Sequence, residues 1–313
     1  MLKRIALAAA LACSPGFAQE AFPVRSLQVI LPYSPGNTTD LLVRALTAEM
    51  APLLGRPVVV VNREGAAGAV GSAVAARAAP DGYTLLFVPA LVASVLPVTQ
   101  PSSGLQPGSF RPICQTFNNT MALVVRLDSP ITDLRRLQAM ARERPGHVTY
   151  GTLGITSIPH LAVEQWMVVA GAEVTHVPFR SDGAVMTEVL TGRLDVGAIV
   201  LGSLAGRTDL RVMTVFDATR HRDFPSTPNA IEQGFDVSPA SFGGLFAPVG
   251  TPDDRLARLE AACATAAGSE GYRSVARSGS QPDDYFLGSG AFARRLAEDV
   301  AIKAAILRRI PLN

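Results

Sequence analysis

The chain has 313 residues, 28 basic and 26 acidic side chains and 48% hydrophobic residues, enough apolar content for two domains of about 100 to 200 residues each. The near-balanced charge offers no basic face to nucleic acid or to an anionic membrane. The three cysteines contain no CxxC pair, and the four histidines show neither HExxH nor HxH spacing; neither a metal nor another cofactor is expected.

The N-terminus reads as an export signal. Lys3 and Arg4 precede the apolar run Ile5 to Ala12, and Gly16 and Ala18 place small residues at the cleavage positions. The run is too short to span a bilayer. Removing residues 1–18 takes away two basic and no acidic residues, leaving a neutral mature chain expected in the periplasm. In the competing reading Cys13 is acylated as in a lipoprotein, but Ala10 is a poor residue at the third position before such a cysteine.

Thereafter short β-branched runs alternate with amphipathic stretches, the pattern of helices covering largely parallel sheets. Strands are predicted at Leu27 to Leu31, Val58 to Asn62, Thr84 to Val88, Leu123 to Arg126, Val148 to Gly151, Glu173 to Val177, Val196 to Val200, Arg211 to Phe216 and Gly244 to Ala247. Helices are predicted at Asp40 to Leu54, Gly71 to Ala79, Ile131 to Arg144, His160 to Ala170, Asp182 to Thr191, Pro252 to Ala267 and Gly290 to Arg308. Two irregular stretches, Pro97 to Pro107 and Pro225 to Pro239, mark excursions where the chain leaves one layer system and returns to it. Two crossings imply a hinge and a cleft. Cys114 and Cys263 could pair in an oxidising compartment; Cys263 lies on the apolar face of its helix, and two buried free thiols are the favoured reading.

Two loops carry the functional signal. Tyr33-Ser34-Pro35-Gly36-Asn37-Thr38-Thr39-Asp40 runs from a strand through a Pro/Gly turn into a helix, and Thr152-Leu153-Gly154-Ile155-Thr156-Ser157 repeats the design further on. A helix start exposes backbone N–H groups backed by the positive end of the helix dipole, which suits a carboxylate oxygen. Ordinary capping by Thr or Ser explains either loop alone; two loops facing one cleft would grip an anion at both ends. The ligand shell is therefore placed at Ser34, Gly36, Asn37, Thr38, Thr39, Thr152, Gly154, Thr156 and Ser157, acting mostly through backbone N–H. Further candidates are Asp40, which could equally brace its loop, Arg180 and Asp182 after a strand end, and Asp195, Gly197 and Ile199 on a neighbouring strand. The glycine run from Gly65 to Gly71 lacks GxGxxG spacing and a P-loop lysine, so it reads as a close-packed turn. No GxSxG elbow and no convergent acid/base pair is found in these loops.

Phe22-Pro23-Val24-Arg25, Leu54-Gly55-Arg56-Pro57-Val58, Pro80-Asp81-Gly82-Tyr83-Thr84, His176-Val177-Pro178-Phe179, Gly192-Arg193-Leu194-Asp195 and Phe246-Ala247-Pro248 follow one another in an order that resembles the substrate-binding proteins of tripartite tricarboxylate transporters, the Bug family. The resemblance implies an α/β fold of the type II periplasmic binding protein kind, with two lobes, each a mostly parallel sheet flanked by helices, and a cleft between them. The lobes are drawn at residues 19–121 with 240–313, and 122–239. It also implies a small organic carboxylate ligand, delivery to membrane permease subunits, and action as a monomer without catalysis. A sensor subunit for a membrane kinase, or a lobed enzyme acting on an organic acid, are the alternatives. Asn37 for a usual Gly, Leu96, Ile199 and Phe242 depart from the family pattern; Ile199 stands where Asp is frequent, which weakens the case for an α-amino acid, and the apolar wall points to a carboxylate with a hydrophobic or aromatic body.

Overall fold

The computed structural model describes residues 22–155, 157–239 and 241–308; the predicted export signal, its cleavage point and Cys13 lie outside them. The first half of the chain contributes β1 (Leu27–Leu31), α1 (Thr38–Leu54), β2 (Val58–Asn62), α2 (Ala69–Ala76), β3 (Thr84–Pro89), α3 (Leu91–Ser94), α4 (Leu96–Thr99) and β4 (Phe110–Asn118). There follow β5 (Met121–Arg126), α5 (Leu134–Glu143), β6 (Thr149–Thr152), α6 (Ile158–Ala170), β7 (Thr175–Pro178), α7 (Asp182–Leu190), β8 (Val196–Val200) and β9 (Leu210–Phe216). The chain closes with β10 (Phe242–Pro248), α8 (Asp253–Ala267), α9 (Glu270–Ser278), β11 (Leu287–Gly288) and α10 (Ser289–Leu307). Every predicted strand and helix is present, β1, β2 and β8 with the predicted bounds and the others with ends shifted by a few residues, whereas β4, β11, α3, α4 and α9 were not anticipated.

Two sheets result, ordered β11-β4-β10-β3-β1-β2 and β7-β6-β8-β5-β9. Both sheets are mixed, and in the first β11 runs antiparallel to β4. β10 is antiparallel to both β3 and β4, and β5 is antiparallel to both β8 and β9, while β1, β2 and β3 and, in the second sheet, β6, β7 and β8 are parallel. Central strands bury both faces. Leu27, Val29 and Leu31 pack with α1 and α8, whereas Ile30 joins Ala69, Ala73 and Phe292 on the opposite side. In β5, Leu123 and Val125 meet Trp166 of α6, and Ala122 and Val124 meet Val185 and Val189 of α7. This alternation of strand side chains is what makes three-layer packing possible.

Cys114 of β4 and Cys263 of α8 form a disulfide with Cα atoms 6.6 Å apart, so the free-thiol reading is corrected. Helix packing does bury Cys263, as its face foretold, but β4 brings Cys114 directly beneath it. Asn119 links β4 to β5, and its N–H donates to the Ser241 carbonyl at 2.6 Å, so the two chain crossings run side by side. Met121, assigned above to the first lobe, starts β5, and it packs in the second core together with Leu91, Val95 and Leu307. Among the described residues no helix is long and apolar enough to cross a membrane.

Candidate ligand-binding cleft

Above the crossings lies a cleft of about 340 Å³, walled by the carboxyl ends of strands from both sheets, where α/β proteins characteristically hold ligands. One wall comes from the segment between β1 and α1. Asn37 caps α1, its side-chain oxygen accepting the Asp40 N–H, while its amide donates to the Ser34 carbonyl at 2.7 Å. These bonds fold the loop so that Ser34, Asn37, Thr38 and Thr39 line the cleft. The N–H groups of Thr38 and Thr39 have no acceptor among the described residues, as the geometry of a helix start requires.

Asp40 is buried behind this loop. Its carboxylate accepts from the Gly36 N–H at 3.0 Å, from Arg44 Nε at 2.9 Å and from Asn62 Nδ2 at 3.0 Å. Burial by itself would raise its pKa, but the hydrogen bonds of Arg44, Gly36 and Asn62 outweigh it and hold the group below the ordinary carboxylate value. Asp40 is thus the brace of the loop. Gly36, expected to donate to ligand, is corrected by the same contact: its N–H is committed to Asp40, it adopts φ 85° to make that turn, and it does not line the cleft.

The opposite wall is built from the segment between β6 and α6, where Leu153, Ser157, Ile158 and Pro159 line the cleft. Ser157 caps α6, accepting the His160 N–H, and the Ile158 N–H is without an acceptor among the described residues. Thr152 and Gly154, predicted as donors to ligand, take another role. The Thr152 side chain is fully buried; its hydroxyl donates to the Gly154 carbonyl at 3.0 Å and accepts the Gly154 N–H at 3.2 Å. With that proton placed on Gly154, His176 Nε2, 2.8 Å away, is a donor to the same oxygen. Both residues hold the loop rather than face the cleft. Thr156 lies outside the described residues.

Behind Thr152 sits a buried aromatic cluster, with the His160 and His176 rings 4.3 Å apart and Tyr150 against both. Burial pushes both histidines down to about 4, the charge of His176 adding to the effect on His160. They are therefore neutral at pH 7. Among the described residues no group of His, Cys, Asp or Glu could hold a metal ion.

A third segment, between β7 and α7, brings Arg180, Ser181, Asp182 and Gly183 to the cleft. Arg180 is exposed and has no ion-pair partner among the described residues. Asp182 Oδ2 accepts from the Val200 N–H at 3.1 Å and from Ser203 Oγ at 2.7 Å, and burial raises its pKa to about 6. The candidates on β8 are not brought to the site. Asp195 is exposed at the amino end of the strand, where it accepts from the Thr149 N–H and hydroxyl. Gly197 is glycine because a Cβ would press on Val124 at 2.9 Å, and Ile199 packs in the core around α7. A strand of this direction presents its carboxyl end to the cleft, so Val200 and Ser203 occupy the place those residues were expected to fill.

Sequence reasoning also missed Asn119, Met121, Ser241 and Leu91, which form the cleft floor; the two crossings were foreseen, but not their residues. Leu96 and Phe242 are buried in the first core, with Phe242 under the Arg295 guanidinium. Of the departures from the family pattern Asn37 lines the cleft and the three apolar ones do not, which removes the ground for a hydrophobic ligand body. The glycine run proves to be a close-packed turn, in which Gly68 lies against Tyr33 and a Cβ on Gly71 would meet the Arg63 carbonyl at 2.5 Å.

Comparison with known proteins places this architecture. A relative from Cupriavidus necator, encoded in the gbd 5′ region, is 31% identical over 96% of this chain and 93% of its own length. A solved periplasmic transporter superposes with a TM-score of 0.83 at 27% identity, covering 94% of this chain and all of that one. A protein from R. palustris solved with adipate shares the fold, with a TM-score of 0.82 at 24% identity over 92% of this chain and 97% of that one. The family model described as tripartite tricarboxylate transporter family receptor matches residues 42–312. The chain belongs to this family of transporter receptors.

Proposed function

We propose that this receptor captures a small organic carboxylate from the extracytoplasmic space and presents it, chemically unchanged and as a monomer, to the membrane permease subunits of a tripartite transporter. The supporting observation is the convergence of two helix starts and an unpaired guanidinium on one cleft. The Thr38 and Thr39 N–H groups approach from α1, the Ile158 N–H from α6 and Arg180 from the loop before α7. Each supplies positive potential to an acid group. Adipate in a structural neighbour of the same fold is consistent with such a ligand. We place the two lobes at residues 22–120 with 241–308 and at 121–239, with Met121 moved to the second, closing about the crossings at Asn119 and Ser241 once both walls are engaged.

Calorimetric titration with a panel of mono- and dicarboxylates tests this. Arg180→Gln should weaken binding at least tenfold without lowering the melting temperature, because Arg180 is exposed and forms no ion pair among the described residues. Thr39→Pro removes one donor at a helix position where proline is tolerated, as Pro159 shows in α6, and should do the same. Wild-type affinity in both variants would overturn the placement of the site, and recovery of a chemically altered ligand would favour the enzyme alternative.

A further inference from the structure

Asp182 is the acid of the cleft, and its two oxygens differ. Oδ2 has two donors, the Val200 N–H and the Ser203 hydroxyl; Oδ1 is buried and has no hydrogen-bond partner among the described residues. A buried carboxylate oxygen without a donor is costly, and such groups persist where function supplies the partner. The other titratable side chains lining the cleft are Tyr33, across from Asp182, and Arg180, on its own loop. Neither forms a hydrogen bond or ion pair with it. The packing elements β8 and the turn at Leu201–Leu204 present only the neutral Val200 and Ser203.

We infer that Asp182 is a specificity residue: its Oδ1 accepts a hydrogen bond from a hydroxyl or ammonium carried by the bound acid next to its carboxylate, so this receptor selects substituted acids over plain ones. The inference rests on the carboxylate-binding reading above. An ionised carboxylate can only accept, and with burial holding its pKa at about 6, Asp182 is mostly ionised at pH 7. A plain acid would either leave Oδ1 unpaired in a closing cleft or set a second negative oxygen against it. A 2-hydroxy or 2-amino acid instead offers its carboxylate to Arg180 and the helix starts, and its donor to Oδ1. Sites built to bond a donor discriminate strongly against analogues lacking one, because the unmatched group remains buried.

The test uses the full mature protein and matched acids of three, four and five carbons, each as the plain acid, its 2-hydroxy form and its 2-amino form: propionate, lactate and alanine; succinate, malate and aspartate; glutarate, 2-hydroxyglutarate and glutamate. In whichever set binds, a substituted form should bind at least tenfold more tightly than the plain acid, and which one it is separates hydroxyl from ammonium. Asp182→Asn should invert that order for a 2-amino acid and narrow it for a 2-hydroxy acid, whose hydroxyl can turn to accept. The Val200 N–H demands an acceptor, so the amide oxygen takes the place of Oδ2 and the NH₂ group takes that of Oδ1, turning an acceptor into a donor. The 2-amino acid should lose tenfold or more and the 2-hydroxy acid less, as a charge-assisted bond becomes a neutral one, while the plain acid gains. Equal affinities within the binding set, or an unchanged ratio of substituted to plain acid in Asp182→Asn with a wild-type melting curve, would overturn the inference and leave the carboxylate reading standing. Failure of all nine acids to bind would overturn both.

Discussion

The two loops that meet across the cleft do the same mechanical job with opposite chemistry. Before α1 the brace is an ion: Asp40, buried and held by Gly36, Arg44 and Asn62. Before α6 the brace is neutral: a threonine hydroxyl tied to Gly154 and His176, set on a stack of uncharged imidazoles. Each solution suits its surroundings. Arg44 is half exposed, so the first loop keeps its charge near water; the second loop lies over the core around Trp166, where an ionised group would be expensive. The consequence is that the two walls of one cleft answer differently to acid.

That difference sets the largest expected effect. His160 and His176 have ordinary values of 6.5 that burial lowers to about 4. A base whose pKa falls on folding stabilises the fold fully above its unfolded value, and the contribution is lost as pH drops towards the folded one. Between pH 7 and 5 the two histidines should together withdraw roughly 4 kcal/mol, at about 1.4 kcal/mol per pKa unit. Asp182 works in the other sense, its raised pKa costing stability as pH rises through about 6, and should return roughly 1 kcal/mol over the same interval. Urea denaturation at several pH values should therefore show a net fall, with His176→Gln flattening the curve. A wild-type slope in that variant would show that the second wall is not the acid-sensitive one.

The first wall should fail by mutation rather than by pH. Asp40→Ala leaves the Gly36 N–H, the Asn62 amide and Arg44 without their acceptor. Discounted for the exposure of Arg44, the cost should be about 2 to 3 kcal/mol, with ligand affinity reduced at least tenfold as the turn loosens. Asp40→Asn, which keeps one acceptor, should recover part of both. Stability lost with affinity intact would mean that the α1 loop does not shape the site.

Much of this layout could be read from residue order. Val29-Ile30-Leu31 followed by Pro35, Gly36 and a Thr/Asp helix start placed the first wall, and Gly151 to Pro159 placed the second. The roles inside each loop could not be read, because a backbone N–H is free or committed according to which side chain folds back on it, and Asp40 and Thr152 are invisible as braces until the turn is closed. Strand direction accounts for the miss at Asp195, Gly197 and Ile199, which lie at the wrong end or on the wrong face of β8. The disulfide was missed for a different reason. β4 contains Arg111, Pro112, Gln115 and Thr116, and its pairing with β10 shifts register twice, so neither alternation nor an apolar run marks it as a strand, and Cys114 had no visible position. The short helix α9 escaped because Gly271 interrupts it, although its Ser269 cap is of the ordinary kind.

The smallest expected effect separates bracing from binding within a single residue type. Thr152→Val preserves the shape of the side chain but removes the oxygen that satisfies the Gly154 N–H and His176, a loss of about 1 to 2 kcal/mol for buried partners left unpaired. Thr38→Val removes a hydroxyl that bonds nothing among the described residues, and should change stability by less than about 0.5 kcal/mol. Affinity should follow the reverse order in its origin. The Thr152 variant binds more weakly only because its wall is looser, so lowering the temperature or adding a stabilising osmolyte should restore much of it, whereas any loss in the Thr38 variant comes from a contact with ligand and should persist. Equal stabilities in the two variants would mean that the second loop is held by its imidazole stack alone, with the threonine a passenger.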